Sequence, residues 1–282
     1  MLRSMYSGIS GMRNMQTKLD VIGNNIANVN TFGFKKGRTT FQDLVSQQLA
    51  GATAPDGNNR GGVNARQVGL GMQLASIDTI HTQGSLQNTN RELDLGISGD
   101  GYFMVSDGTT TYYTRAGNFY LDSEGNLVNS NGMRVLDMDG DQIKFHEILN
   151  AELSGNIDEE NWIDYIESFS IGADGSINII DNEGELVDTN VQIALAKFSN
   201  PEGLQKAGNN LYTISANSGD PSIGAPGENG AGELVAGTLE MSNVDLSEEF
   251  TEMIVAQRGF QANTRIITTS DEILQELVNL KR

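Results

Sequence analysis

Two amphipathic stripes, one at each end of the chain, constrain this sequence more than anything between them. Through the first thirty residues, Leu2, Met5, Ile9, Met12, Leu19, Ile22, Ile26 and Val29 are separated by threes, fours and one seven, with Gln16 at the missing position. That spacing gathers the apolar side chains on one face of an α-helix. Thr31-Phe-Gly33 interrupts the stripe, and Gly33 suits a backbone reversal, so the helix is expected to end between Asn28 and Thr31. The C-terminal stripe is Leu246, Phe250, Met253, Phe260, Ile267, Leu274 and Leu277, with Gln257 and Thr264 as its polar members. Asp245 is placed to cap this second helix, Glu248 and Glu249 to complement the positive end of its dipole, and Lys281 and Arg282 the negative end. From Ser242 to Arg282 such a helix would reach about 60 Å, longer than a compact domain of this size needs. Something must lie alongside it. The N-terminal stripe is the matching surface, within one subunit or between neighbours; the competing arrangement is a monomer whose two stripes pack on its own β body.

Between the stripes the pattern changes to short alternating strands: Leu93, Leu95 and Ile97; Tyr102 to Val105; Phe119 and Leu121; Ile143 and Phe145; Ile177 and Ile179; Val191, Ile193 and Leu195. Turn residues separate them at Asp122 to Gly125, Asn131-Gly132, Asp139-Gly140, Asp174-Gly175 and Glu183-Gly184. Phe119-Tyr-Leu-Asp-Ser-Glu-Gly125 is echoed by Phe169-Ser-Ile-Gly-Ala-Asp-Gly175, a pattern open to duplication of a hairpin or to recurrence of a common turn. Ala50 to Gly71 and Ser215 to Gly232 read as loops, and His146 to Glu167 is an acidic stretch holding the single Trp162. The fold class expected is therefore α+β: long terminal helices forming a coiled-coil-like layer, with a β-rich centre. The domains expected are 1–35, 36–240 and 241–282.

Composition narrows the function. A formal charge of −19 disfavours nucleic acid and anionic lipid as partners. With no Cys there is no thiolate metal site, disulfide or cysteine nucleophile. Met1 to Asn30 carries Arg3, Arg13 and Lys18 and no continuous apolar core, so it does not read as a cleaved secretory signal, and no stretch reaches the length of a membrane span. The two histidines, His81 and His146, lack HExxH or triad companions, so ordinary polar or partly buried roles are expected. Asp137-Met-Asp-Gly-Asp141 lacks the Gly and Glu positions of a calcium loop and reads as a hairpin turn. Gly69-Leu-Gly71 and Gly99-Asp-Gly101 lack the third glycine of a dinucleotide site, and no carboxylate pair stands out from the acidic background. No catalytic residue, cofactor or metal is expected.

The segment Leu19-Asp-Val-Ile-Gly-Asn-Asn-Ile-Ala-Asn-Val-Asn-Thr-Phe-Gly-Phe-Lys35 resembles the N-terminal signature of the bacterial flagellar rod, hook and hook-associated proteins. Leu239-Glu-Met-Ser-Asn-Val-Asp-Leu246, Met253-Ile-Val-Ala-Gln-Arg258 and Phe260-Gln-Ala-Asn263 are similar to the C-terminal helix of that family. Leu93-Asp-Leu-Gly-Ile-Ser-Gly-Asp-Gly-Tyr-Phe103 and Tyr113-Thr-Arg-Ala-Gly-Asn-Phe-Tyr-Leu121 are similar to its central β signatures. The resemblance implies a structural subunit that is no enzyme, whose terminal helices form an inner layer around an export channel and whose β domains form an outer layer. It implies a homopolymer in contact with other axial proteins, namely the distal rod and the hook–filament junction protein, and with the export apparatus and hook cap. It further implies an extracellular place in the hook and basal body, reached by type III export without a cleaved signal.

Within the family, Asp20-Val-Ile-Gly-Asn-Asn-Ile-Ala-Asn28 and Met253-Ile-Val-Ala-Gln-Arg258 look more like the hook protein, while a length of 282 falls close to that of the distal rod protein. The expectation is the hook, the flexible joint that transmits torque, with the distal rod as the alternative and a secreted β-rich adhesin or hydrolase as a remote third. The assembly interface expected is Leu2, Met5, Ile9, Met12, Leu19, Ile22, Asn24, Asn25, Ile26 and Asn28 against Leu246, Phe250, Met253, Gln257, Phe260, Ile267, Leu274 and Leu277. Each large side chain buried there would contribute roughly 1.5–3 kcal/mol.

Overall fold

A computed structural model describes residues 2–55, 61–146, 148–149, 162–182, 184 and 186–280. The chain divides into two compact units. The first holds residues 1–27, 37–80 and 245–282, and the second residues 28–36 and 81–244. The division differs from the three-part reading of the sequence: residues 37–80 belong with the helices, and 28–36, the end of the N-terminal signature, with the β-rich unit.

In the first unit, helix α1 spans Leu2–Ala27 and helix α2 spans Leu246–Leu280. α1 stops where the stripe breaks, with the Thr31 N–H donating to the Asn28 carbonyl at 3.1 Å. α2 begins one residue after Asp245, whose Oδ1 accepts the Ser247 N–H at 2.8 Å and the Glu248 N–H at 3.4 Å, so the expected cap is in place. Lys281 and Arg282 lie outside the described residues. The 35 residues of α2 give about 52 Å of helix.

The two helices run antiparallel within one chain: Gly8 faces Ile267, Gly11 faces Asn263, Gly259 faces Met15, and Lys18 pairs with Glu252. A two-stranded antiparallel ribbon completes the unit, Gly37–Asp43 against Met72–Thr79, with a bulge between Thr40 and Phe41. It continues as Gln47–Ala50 against Arg66–Val68 and a bridge between Thr53 and Val63. The segment read as a loop, Ala50 to Gly71, is thus partly strand. Its residues are exposed on both faces of the ribbon, so it lacks the apolar alternation by which a half-buried strand is recognised.

The second unit is β-rich, and all of its strand pairings among the described residues are antiparallel. A nine-stranded sheet has Tyr102–Ser106 near its middle, pairing with Thr111–Thr114, Arg134–Val135 and Leu195–Lys197. A three-stranded sheet is formed by Ile166–Ile171, Ser176–Asp181 and Leu186–Gln192. Leu95–Ser98 pairs with Glu233–Ala236, and Leu86–Asn88 with Thr238–Glu240. The alternating residues read from the sequence form the core: Leu95, Ile97, Phe103, Val105, Phe119, Ile143, Phe145, Ile177, Ile179, Ile193 and Leu195 are buried together, with Leu121 and Val191 packed against them. Trp162 closes one side of this core. Its indole N–H donates to the Ser123 carbonyl at 3.1 Å and its ring lies against Gly125 and near Phe145. Most of the acidic stretch that contains it lies outside the described residues. The other loop reading, Ser215 to Gly232, contains the short strand Ser222–Gly224, paired with Leu195–Lys197.

The echoed motif has a local explanation. In Asp122–Asn126 and Gly172–Ser176 alike, the fourth residue's N–H donates to the first carbonyl and the first N–H donates to the fifth carbonyl. The fourth residue is Gly125 or Gly175, at φ 77° and 80°. Asn129–Met133 and Asp137–Asp141 close in the same way with Gly132 and Gly140. This is a three-residue hairpin connection with a left-handed fourth position, which favours glycine. Its recurrence outside the echo makes shared turn chemistry a sufficient cause of the similarity. At Asp137, Oδ1 accepts the N–H groups of Asp139 and Asp141 at 3.0 and 2.8 Å, so this acidic triplet serves its own turn.

Candidate assembly surface

The fully buried positions of the seam between α1 and α2 are small or polar except for Ile22, and Met12, Met15 and Ile267 are partly covered in it. On α1 it presents Gly8, Gly11, Ile22 and Asn25, all buried, and on α2 only Glu249, Ala256 and Ser270 are buried. A Cβ at Gly11 would stand 2.7 Å from Asn263 Nδ2 and one at Gly8 3.4 Å from Ile267, which is why the axes can approach closely there.

Asn25 explains one residue of the signature. Its amide nitrogen donates to the Gly37 carbonyl at 2.8 Å and to Glu249 Oε2 at 3.2 Å, while its oxygen accepts the Gly37 N–H at 2.9 Å. One side chain thereby joins α1 to the start of the ribbon and to the first turn of α2, a set of bonds that a hydrocarbon of the same size could not supply.

Several large apolar side chains of α2 are left outside that seam. Phe250 is 50%, Ile254 58%, Val255 57%, Ile273 48% and Leu277 50% exposed. At 100° per residue they fall on two flanks of the buried line through Ala256: Leu246, Phe250 and Ile254 on one, and Val255, Ile266, Ile273 and Leu277 on the other. Such a concentration of exposed large hydrophobics on one helix marks an interaction surface. Tyr6 adds to it from α1.

Of the residues expected at the interface, Leu246, Phe250, Gln257, Phe260 and Leu277 are exposed, Asn24 lies on the outer face of α1, and Met253, Ile267 and Leu274 are half-buried. Met5, Ile9, Met12, Leu19, Ile26 and Asn28 are half-buried as well. Ile22 and Asn25 are spent inside the chain. Leu2 belongs to α1, and its side chain is outside the described set. Ile254, Val255, Ile266 and Ile273 escaped the sequence reading because a single heptad stripe was followed, whereas α2 carries apolar residues on more than one face.

A second feature also escaped it. In the β-rich unit, Lys35, Arg115 and Glu240 form a buried charged triad, with the side chains of Lys35 and Glu240 at 0% exposure. Glu240 Oε1 accepts Lys35 Nζ at 2.6 Å and the Gly84 N–H at 2.8 Å, and Oε2 accepts an Arg115 nitrogen at 3.1 Å. Lys35 donates also to the Thr82 carbonyl at 2.7 Å, and Arg115 to the Gly99 carbonyl at 2.8 Å. Burial holds the Lys35 pKa below its ordinary value, with Arg115 adding to the depression and Glu240 opposing it. The three residues come from the three separate signatures, so the triad joins the segment that follows α1 in sequence to the one that precedes α2. The available signal was a single charged residue that each of the three signatures contributes: Lys35, Arg115 and Glu240.

Beside it, the Tyr102 hydroxyl and His81 Nδ1 are 2.6 Å apart. His81 has its pKa pushed down to about 4 by burial first, then by the charges of Lys35, Arg115 and Lys206. Among the described residues no group of three or more acidic, histidine or cysteine side chains is arranged to hold a metal, and no helix is long and apolar enough to cross a membrane.

Comparison with known proteins agrees with this architecture at both ends and in the middle. Residues 5–35 match the family described as flagella basal body rod protein, 96–179 the flagellar hook protein FlgE/F/G D1 domain, and 235–280 the flagellar basal body rod FlgEFG protein C-terminal family. The flagellar basal-body rod protein FlgG of Bacillus subtilis is 57% identical, with 100% of both chains covered. FlgG of Borreliella burgdorferi is 40% identical, again over 100% of both. The flagellar hook protein FlgE of Borreliella burgdorferi is 34% identical with 100% of each chain covered, but its alignment extends over 444 positions. These relatives are structural components of the flagellum and not enzymes, and the highest identity among them is to a rod protein, against the expectation drawn from the two short helical motifs. The chain belongs to the flagellar rod and hook protein family, FlgE/F/G, of axial structural proteins.

Proposed function

We propose that this chain is the rod subunit of the flagellar basal body, a distal rod protein that self-assembles into a straight drive shaft, and not the hook. The observation that carries this reading is full-length identity of 57% to a rod protein without a change in length, the alignment covering 283 positions for 282 residues here. Hook relatives extend over 444 and 465 aligned positions, so a large part of those chains has no counterpart in this one.

Assembly proceeds through burial of the two flanks of α2, together with the outer face of α1, against neighbouring copies. Each large side chain removed from water contributes roughly 1.5–3 kcal/mol, and a polymer repeats the gain at every subunit. The β-rich unit supplies the outer layer. Other axial proteins, the export apparatus and passage through it without a cleaved signal complete the proposal.

Immunogold electron microscopy of isolated hook–basal bodies, with an antibody raised against the purified protein, tests it. Label on the straight rod is expected; label on the curved external segment would return the assignment to the hook, and label on neither would overturn both.

A further inference from the structure

The contacts between α1 and α2 follow one line along each helix. On α1 it runs through Gly8, Gly11, Met15 and Lys18, and on α2 through Ile267, Asn263, Gly259 and Glu252. Large and small residues face each other across it: Ile267 rests over Gly8, and Met15 over Gly259, where a Cβ would stand 3.2 Å from the sulfur and 3.5 Å from the terminal methyl. Met15 is thus the apolar knob that fills the space left by a glycine.

With no Cys in the chain, methionine thioethers are its only oxidisable sulfur. Oxidation turns a thioether into a polar sulfoxide, whose oxygen needs a hydrogen-bond donor wherever water is excluded. At Met12 a donor stands ready, since the Thr264 hydroxyl already donates to its sulfur at 3.3 Å. At Met15 the facing residue has no side chain. The Gly259 carbonyl accepts the Asn263 amide at 3.1 Å, and its N–H, well inside a helix of 35 residues, is bonded within α2.

We propose that Met15 is a reversible oxidation site through which a peroxide loosens the pairing of α1 and α2. Met15 is half-buried, so a molecule as small as hydrogen peroxide reaches it without unfolding of the chain. The sulfur lone pair attacks one peroxide oxygen and the O–O bond breaks. The departing hydroxide takes the proton of the transferred hydroxyl and leaves as water, so that sulfur loses two electrons and peroxide gains them. The sulfoxide oxygen then stays without a donor or draws water between the helices, and both weaken the seam. A thiol-dependent methionine sulfoxide reductase reverses the step.

The test exposes the full chain to hydrogen peroxide until peptide mapping by mass spectrometry shows one added oxygen at Met138, which is 42% exposed. Met15 is expected to be oxidised as well, and Met104, 2% exposed, to stay reduced. Hydrogen exchange in α1 should then accelerate about tenfold, the effect of a polar group left without a partner, while the β-rich unit keeps its rate. Methionine sulfoxide reductase should restore the slow rate. Met15→Leu, nearly equal in volume, should exchange alike before and after peroxide, whereas Met138→Leu should respond as the unaltered chain does. Partly oxidised samples of the unaltered chain give a reading that needs no variant: the fast-exchanging fraction should equal the fraction oxidised at Met15. A fraction that follows Met12 instead, a Met15 left reduced, exchange unchanged by its oxidation, or a Met15→Leu chain that still responds would overturn the proposal.

Discussion

The two units bury opposite kinds of side chain. The interior of the β-rich unit is filled by large apolar groups with almost no exposure, Phe103, Phe119, Phe145 and Leu95 among them, and carries one buried charged triad. The seam of the helical unit buries glycine, alanine, serine and a glutamate–asparagine pair, while Phe250, Ile254, Val255 and Leu277 stand in solvent. A helix that spends its small residues on its own chain and keeps its large ones outside is built for partners. On the proposed assembly, one unit is held by its own interior and the other gains from neighbouring copies, and substitutions should separate the two.

The largest effect is expected at the triad. Glu240→Ala leaves Lys35 and Arg115 buried without their carboxylate, a change that costs about 3–5 kcal/mol when one partner of a buried ion pair is removed. Urea unfolding of the purified protein should show it in the β signal. If the midpoint moves by less than the equivalent of about 1 kcal/mol, the triad is not the internal tie described above.

Next comes pH. The folded His81 titrates near 4 against an ordinary value of 6.5. The unfolded chain thus binds a proton more readily in that interval, and stability falls as the pH is lowered from about 6.5 to about 4, by at most about 3 kcal/mol, and is unaffected above. His81→Gln should flatten that part of the stability profile. An unchanged slope would assign the acid sensitivity elsewhere.

A smaller effect is expected in the helical seam. Gly11→Ala sets a methyl group 2.7 Å from the Asn263 amide, which must swing away or push the helices apart, at a cost of about 1–3 kcal/mol. Hydrogen exchange in α1 should accelerate while that in the β-rich unit stays as it was. Equal acceleration in both would show that the two units share one cooperative transition.

How much of this was legible beforehand follows the same division. The helices, the Asp245 cap, the β core and the glycine turns were readable because each has a local cause: period, hydrogen-bonding side chain, alternation, or positive φ. The ribbon Gln47–Ala50 with Arg66–Val68 was not, because a strand exposed on both faces has no burial period. The triad was not, because Lys35, Arg115 and Glu240 are brought together only by the tertiary fold, and nothing in their spacing announces it. Ile22 and Asn25 were read as interface and serve within the chain, since an apolar stripe states that a face is covered and not by what.

The least effect on the isolated chain, and the most direct probe of the comparison, is expected from Ile254→Ser. Ile254 is 58% exposed on the flank of α2 away from α1, so the folded monomer loses only part of a side chain's burial, and its stability should change by no more than about 0.5 kcal/mol. Assembly is a different matter, because on the proposed function the same side chain is buried in every subunit of the polymer. If burial of roughly a whole isoleucine is lost at each contact, at about 1.5–3 kcal/mol, the concentration at which light scattering begins to rise should increase by about one to two orders of magnitude. A change on the opposite flank, Ile273→Ser, should act independently, and the double variant should show the sum, because the two positions lie on separate faces. A fall in monomer stability with no change in the onset of scattering would mean that the flank is covered by the chain's own residues, and the contrast between the two units would fail.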